Sequence, residues 1–409
     1  MGARPRPVHT LPLFASGPEK AYSGPALLAK GFRPFFFAAA LFAGLILPAW
    51  SLTLAGRIHV TSYLDPVSWH AHEMLFGFAA AVIAGFLLTA VTNWTERETA
   101  VGPRLAVLVA LWLAGRVVFA AANHLPGVLV AAIDLAFLPA LAFTIGLPIV
   151  RSRSKRNVVV VVVVLLLSAA NAAMHLDALG LAPGLRRRGA LVAVDVVVLL
   201  MVLVAGRVVA MFTRNATRDE SCRSHPTADR LAVAAVAAVA VLDLLTTGVT
   251  LAHVVVPLLA SVTVAARAAH WGFRTAMRQP ILWILHVGHT WIPIGLALRA
   301  MAAFTPSIPP SLGIHAVTAG ALGALSLGMM ARVALGHTGR SLVLPTRFWF
   351  AFVAVTIAAA GRLTAPFLAP SHQLSVLVAS GVLWALAFVS YAVAFAPILL
   401  APRIDGKAG

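Results

Sequence analysis

Twelve separate stretches of this chain are long and apolar enough to fill a bilayer, near 34–56, 71–93, 104–122, 126–150, 157–177, 189–212, 229–248, 250–270, 280–303, 312–335, 347–368 and 374–400. A helix crossing the hydrocarbon needs about 20 such residues, and lipid offers no partner for an unpaired backbone group. The expected fold is therefore an all-α polytopic bundle of about twelve transmembrane helices. The valine run at 158–164 must be helical as well, despite its strand propensity. Residues 31–402 read as one membrane domain, with a cytoplasmic Pro-rich segment at 1–30 expected to be flexible and a short cytoplasmic tail at 403–409. No cleavable leader is evident in the first 30 residues, so the first span is expected to do the targeting. The side chains show no internal repeat.

Composition enters through charge. Only 11% of the residues are charged, yet the formal net charge is +18. Placed on alternating spans with the N-terminus inside, most Lys and Arg fall in RSRSKR (151–156), RNATRDESCRSHPTADR (214–230) and other inner segments. That is the positive-inside pattern with both termini cytoplasmic, and it makes lipid headgroups the partner rather than nucleic acid. Arg186, Arg187 and Arg188 break the pattern by falling on an outer loop. Cys222 is the only cysteine, so an intrachain disulfide is excluded and a thiolate-held cluster is implausible; any metal must be held by His, Met or carboxylate. There is no CxxCH for covalent haem, no HExxH, no Walker loop and no dinucleotide-binding glycine pattern.

Ionisable side chains in lipid cost about 2.5–3.5 kcal/mol each at mid-membrane, so they mark function unless they form structural ion pairs between helices. Here Glu73, Asp134, Asp195 and Asp243 fall in the outer half, with Asp177, Arg116, Arg299 and Arg362. His70, His72, His175, His253 and His315 fall there too, which points to one polar site beneath the outer face. On the second span His70, Glu73, Gly77 and Gly85 share a face of small residues, whereas His72 lies with Phe76, Ile83 and Phe86. The two imidazoles therefore point to nearly opposite sides and are poor joint ligands for one ion. Glu73 is placed to orient a ring through its free N–H.

On the ninth span His286 and His289 share a face ahead of Pro293, and His286 is a candidate metal ligand or a hydrogen-bonded packing residue. Met329 and Met330 read as soft ligands or as core filling. The loop Gly336–Arg340 offers His337 and Arg340 to an anion, or caps its helix; Arg116 and Arg207 are further anion or propionate candidates.

Several motifs resemble the NnrS family of bacterial membrane proteins: GFRPFF (31–36), WHAHEMLFGF (69–78), AGFLLTAV with NWT (84–95), NAAMHL (171–176), GRVVAMFTRN (206–215), QPILWILHVGH (279–289) and LGMMARVALGHTGR (327–340). The resemblance implies a twelve-span inner-membrane protein carrying non-covalent haem and copper, linked to nitric oxide, denitrification and protection from nitrosative stress. Thr92 and Ala210 stand where proline is frequent in the family, and His289 where an aromatic is common, so His286 gains weight over it. On this basis His72, His175 and His315 are the first ligand candidates for iron or copper, followed by His286 and His70, with Glu73, Asp134, Asp195 and Asp243 as supporting or proton-path residues. Outer-half histidines on spans two and ten also suggest a fold-level analogy with haem–copper oxidases, without their copper motif on spans six and seven. Whether the protein turns over, and its electron donor, are left open by the residues. The rival reading is a transporter for a metal ion or metal–nitrosyl species using the intramembrane carboxylates; a third is a non-catalytic sensor or assembly factor.

Overall fold

The computed structural model describes residues 22–60 and 62–407; most of the 1–30 segment and the end of the tail lie outside them. Twelve long helices follow one another: α1 Phe32–Leu54, α2 Pro66–Thr95, α3 Pro103–Ala120, α4 Gly127–Arg151, α5 Val158–Ala178, α6 Leu185–Thr217, α7 Pro226–Leu245, α8 Ala252–Arg267, α9 Pro280–Phe304, α10 Ser311–His337, α11 Trp349–Thr364 and α12 Pro370–Leu399. No strand occurs among the described residues. Eleven of the twelve are apolar enough throughout to cross a membrane. The exception, α7, carries Asp229, Arg230 and Asp243 in its 20 residues, and two of these prove to be paired with arginines of other helices.

The two ends of the chain's helix series meet, since α12 packs on α1, and most helices pack on their chain neighbours. Arg33, at the start of α1, donates to the carbonyls of Leu399 (2.8 Å) and Ala401 (2.7 Å), neutralising the end of α12. The two described chain ends therefore lie at one end of the bundle, the termini end. The opposite, far end holds the loops near 55–65, 121–126, 179–184, 246–251 and 305–310. Helices α2 and α10 are the most enclosed, with 89% and 78% of their apolar windows buried, so any site they carry sits on the bundle axis.

These two central helices share a local irregularity. Each opens with an α-helical turn ending in histidine, His72 or His315, then widens into a π-helical segment, Glu73–Ala79 or Ala316–Leu322, and resumes as α-helix. A π turn leaves a carbonyl poorly used by its own helix, and in both cases an indole takes one. Trp112 Nε1 donates to Gly77 O (2.9 Å) and Trp384 Nε1 to Ala319 O (3.0 Å). The coincidence extends along the chain at a constant spacing of 243 positions. It relates the two π segments, the 3-10 turns Ala122–His124 and Ala365–Phe367, and the starts of α4 at Gly127 and α12 at Pro370. Part of the element plan thus recurs where the side chains show no repeat.

Candidate functional site

His72 lies about 9 Å along α2 from its first residue at 1.5 Å per residue. The helix starts cleanly there because Asp65 accepts from the Val67 and Ser68 amides and Pro66 occupies the first turn. Four successive helices then converge. His72 and Glu73 come from α2, Arg116 from α3, Asp134 from α4, and Asn171 and His175 from α5, all buried. His72 Nδ1 stands 3.0 Å from Glu73 Oε1; its Nε2 stands 3.0 Å from Asn171 Oδ1 and 3.3 Å from Asp134 Oδ2. Arg116 donates to both Glu73 Oε1 and Asp134 Oδ1. Asn171 Nδ2 (2.8 Å) and His175 Nε2 (3.0 Å) meet Asp134 Oδ2, and Tyr63 from the preceding loop bonds His175 Nδ1. Phe119 stacks on His72 with ring centroids 4.0 Å apart.

These partners dictate the protons. Both nitrogens of His72 face acceptors, so both carry hydrogen, and the ring is an imidazolium. His175 donates through Nε2 and accepts from Tyr63 at Nδ1, so it is neutral. The enclosed network then holds two cations, Arg116 and His72, against two anions, Glu73 and Asp134. Its charge is balanced, which is what makes its burial tolerable. The donor atoms of His72, Asp134 and His175 lie within 4.8 Å of one another, a spacing that suits one small metal ion.

A second, open site adjoins it at the far end. A cavity of about 970 Å³ is walled by Trp50, His70, Arg299, His315, Arg362 and Trp384, with Arg187 and Arg188 at its rim. His70, two positions from His72 and on the other side of α2, stacks on Trp50 at 4.4 Å and 7°, and its Nδ1 is buried without a hydrogen-bond partner. His315 Nδ1–H donates to the Ser311 carbonyl at 2.7 Å, which leaves the Nε2 lone pair free. In the same wall Arg299 binds the carboxylates of both Asp195 and Asp243. Arg186 is spent on Asp65 and Asp177, whereas Arg187 and Arg188 have no ion pair among the described residues. The arginine triplet that breaks the positive-inside pattern is thus the rim of this cavity.

The single polar site expected from the sequence is therefore two. His72 and His175 come together with Glu73, Asp134 and Arg116; His315 stands instead with His70 on the cavity. Asp195 and Asp243 belong to the Arg299 cluster. His286 is away from both sites, bonded through Nε2 to Thr213 Oγ1 (2.9 Å), and His289 faces the Val264 carbonyl (3.3 Å) beside Trp271. Arg207 bonds Asn157 and the Arg156 carbonyl near the termini end. His337 packs on Phe32 there, and Arg340 follows it in the adjoining turn. Reading the sequence alone missed Tyr63 and Asn171; Asn171 lies one turn before His175 on the same helix, a spacing that would have paired them.

The fold and the sites define a polytopic helical membrane protein with a buried histidine–acid cluster of metal-ligating type. None of the curated proteins matches the sequence. The family model described as NnrS protein matches residues 26–403, and the chain belongs to the NnrS family. Membership carries a nitric-oxide-related membrane role at the level of the family.

Proposed function

We propose that this chain is a haem- and copper-bearing protein of the bacterial inner membrane, both termini cytoplasmic, that binds or processes nitric oxide and protects a denitrifying cell from nitrosative stress. The observation that carries this reading is the cavity at the far end. It is of cofactor size, and it is lined by the imidazole of His70 and by that of His315, whose Nε2 is freed by a carbonyl-fixed N–H. That donor set suits haem iron, and Arg187, Arg188 and Arg362 suit its carboxylates. The indole of Trp50, stacked on His70, and Trp384 on α12 supply flat apolar walls.

Copper fits the enclosed cluster, through His72 Nε2, His175 Nε2 and Asp134. The network already holds one exchangeable positive charge, the second proton of His72. A cuprous ion held there would replace that proton, with the His175 Nε2 proton moving to its Nδ1 and the Tyr63 hydroxyl turning to accept it, so the charge balance would be unchanged, and Glu73 would remain on His72 Nδ1 to orient the ring. When bound, the metals supply redox chemistry and a coordination position for a small diatomic ligand. The chain's own part is to fix the imidazoles, to exclude water with Phe76 and Phe119, and to offer a site inside the apolar phase where nitric oxide concentrates.

The test is an optical spectrum of the purified protein, oxidised, reduced and exposed to nitric oxide, with iron and copper analysis. A nitric-oxide-sensitive Soret band that is lost in His70→Ala and His315→Ala, with copper lost in His72→Ala, is the expected result. A preparation that stays colourless and metal-free after reconstitution would overturn the reading in favour of transport.

A further inference from the structure

The two arginine-centred clusters of the bundle differ by one charge. In the enclosed network Arg116 and the doubly protonated His72 face Glu73 and Asp134, and the sum is zero. In the cavity wall Arg299 alone, from α9, faces Asp195 of α6 and Asp243 of α7. Asp195 is 1% exposed and its Oδ2 has no donor. The remaining charged and titratable groups nearby do not supply one. On α8, His253 is bonded through Nδ1 to Thr250 and through Nε2 to Thr246. Arg187 and Arg188 of α6 lie at the rim, and His315 and Arg362 line other parts of the wall.

Both acids meet on one guanidinium: Arg299 Nη1 binds Asp195 Oδ1 and Arg299 Nη2 binds Asp243 Oδ2. Two carboxylates on one enclosed guanidinium leave one negative charge unmatched, and a proton on either removes it. Paired carboxyls that cannot both ionise are a recurring way of keeping a proton inside a protein.

We propose that Asp195 and Asp243 hold one proton between them, clamped by Arg299, and that this pair is a proton-exchange site serving the cavity. Asp195 is the buried partner, while Asp243 and Arg299 reach the cavity surface. When an oxygen base arises in the cavity, the carboxyl O–H bond breaks and the proton moves to that base. Arg299 then holds two carboxylates until a proton returns from water at the rim. The identity of that oxygen base rests on the function proposed above; the stored proton does not.

Infrared spectroscopy of the resting, detergent-purified protein tests the stored proton without any cofactor or turnover. The expected result is a protonated-carboxyl C=O band at neutral pH that shifts in D2O. It should disappear in Asp195→Asn and in Asp243→Asn and persist in Glu73→Gln. Absence of the band, or its survival in both aspartate variants, would overturn the proposal. Each single variant leaves one carboxylate opposite Arg299, so both should fold. Failure of both to fold would also count against it, by showing that both acids are required as anions. If the band behaves as expected but no haem or nitric oxide response is found, the proton site stands and only the identity of its acceptor falls.

Discussion

Replacing Arg116 by methionine would test whether the enclosed network is held by charge balance. The substitution keeps most of the side-chain volume but removes the guanidinium that binds Glu73 and Asp134 together. It leaves one imidazolium against two carboxylates, all buried. Two hydrogen bonds to charged groups at about 1.5–3 kcal/mol each suggest a loss of about 3–6 kcal/mol, and breaking a buried pair by removing one partner costs about 3–5 kcal/mol. A value near 4 kcal/mol, at about 2 °C per kcal/mol for a large chain, lowers the melting temperature by about 8 °C. The assay is thermal unfolding of the metal-free protein in mild detergent, followed by tryptophan fluorescence. Arg116→Met combined with Glu73→Gln restores neutrality, with His72 against Asp134, and should recover more than half of the loss. A single variant that melts with the wild type, or a double variant no better than the single, would refute the charge-balance argument.

Other consequences are open to simple measurement. If the enclosed cluster takes copper as proposed, binding at His72 would displace a proton, so apparent affinity should fall as pH is lowered and each bound ion should release about one proton to a weakly buffered solution. Gly295 and Gly313 bring α9 and α10 into backbone contact, and a Cβ at Gly295 would lie 2.9 Å from the Gly313 carbonyl. Gly295→Val should therefore cost about 1–3 kcal/mol through overpacking, read as a lowered melting temperature. Burial pushes the Cys222 thiol above its usual range, so maleimide labelling at neutral pH should be slow until the protein is unfolded.

Eleven membrane spans were legible because hydropathy is a local property; the stretch expected as a further span near 229–248 is a helix, α7, whose three charged residues keep it below the apolarity of the others. The ionisable residues of the candidate sites stood out in the sequence too, because charged groups in apolar runs do, whereas the uncharged Tyr63 and Asn171 did not. Their grouping was not legible. His72 and His315 occupy corresponding places on spans two and ten, and nothing local says that one faces Asp134 while the other faces a cavity. Arg116 read as an anion contact and Asp134 as a proton-path residue, yet the two form one ion pair 18 positions apart. The arginine triplet looked like an error of topology because its role lies in a cavity built by helices from both ends of the chain.

The two π-helical turns also set which way the rest of each helix faces. Such a turn holds one residue more than the α-helix around it, and excising that residue would rotate everything beyond it by about 100°. In α10 that rotation would carry Gly323 and Gly328 away from the neighbours they touch. In both central helices the widened turn follows directly on the histidine, so the orientation of the ring and the orientation of the long packed segment beyond it are set separately: acids and an arginine surround His72, open space surrounds His315, and neither choice constrains how the remainder of its helix packs.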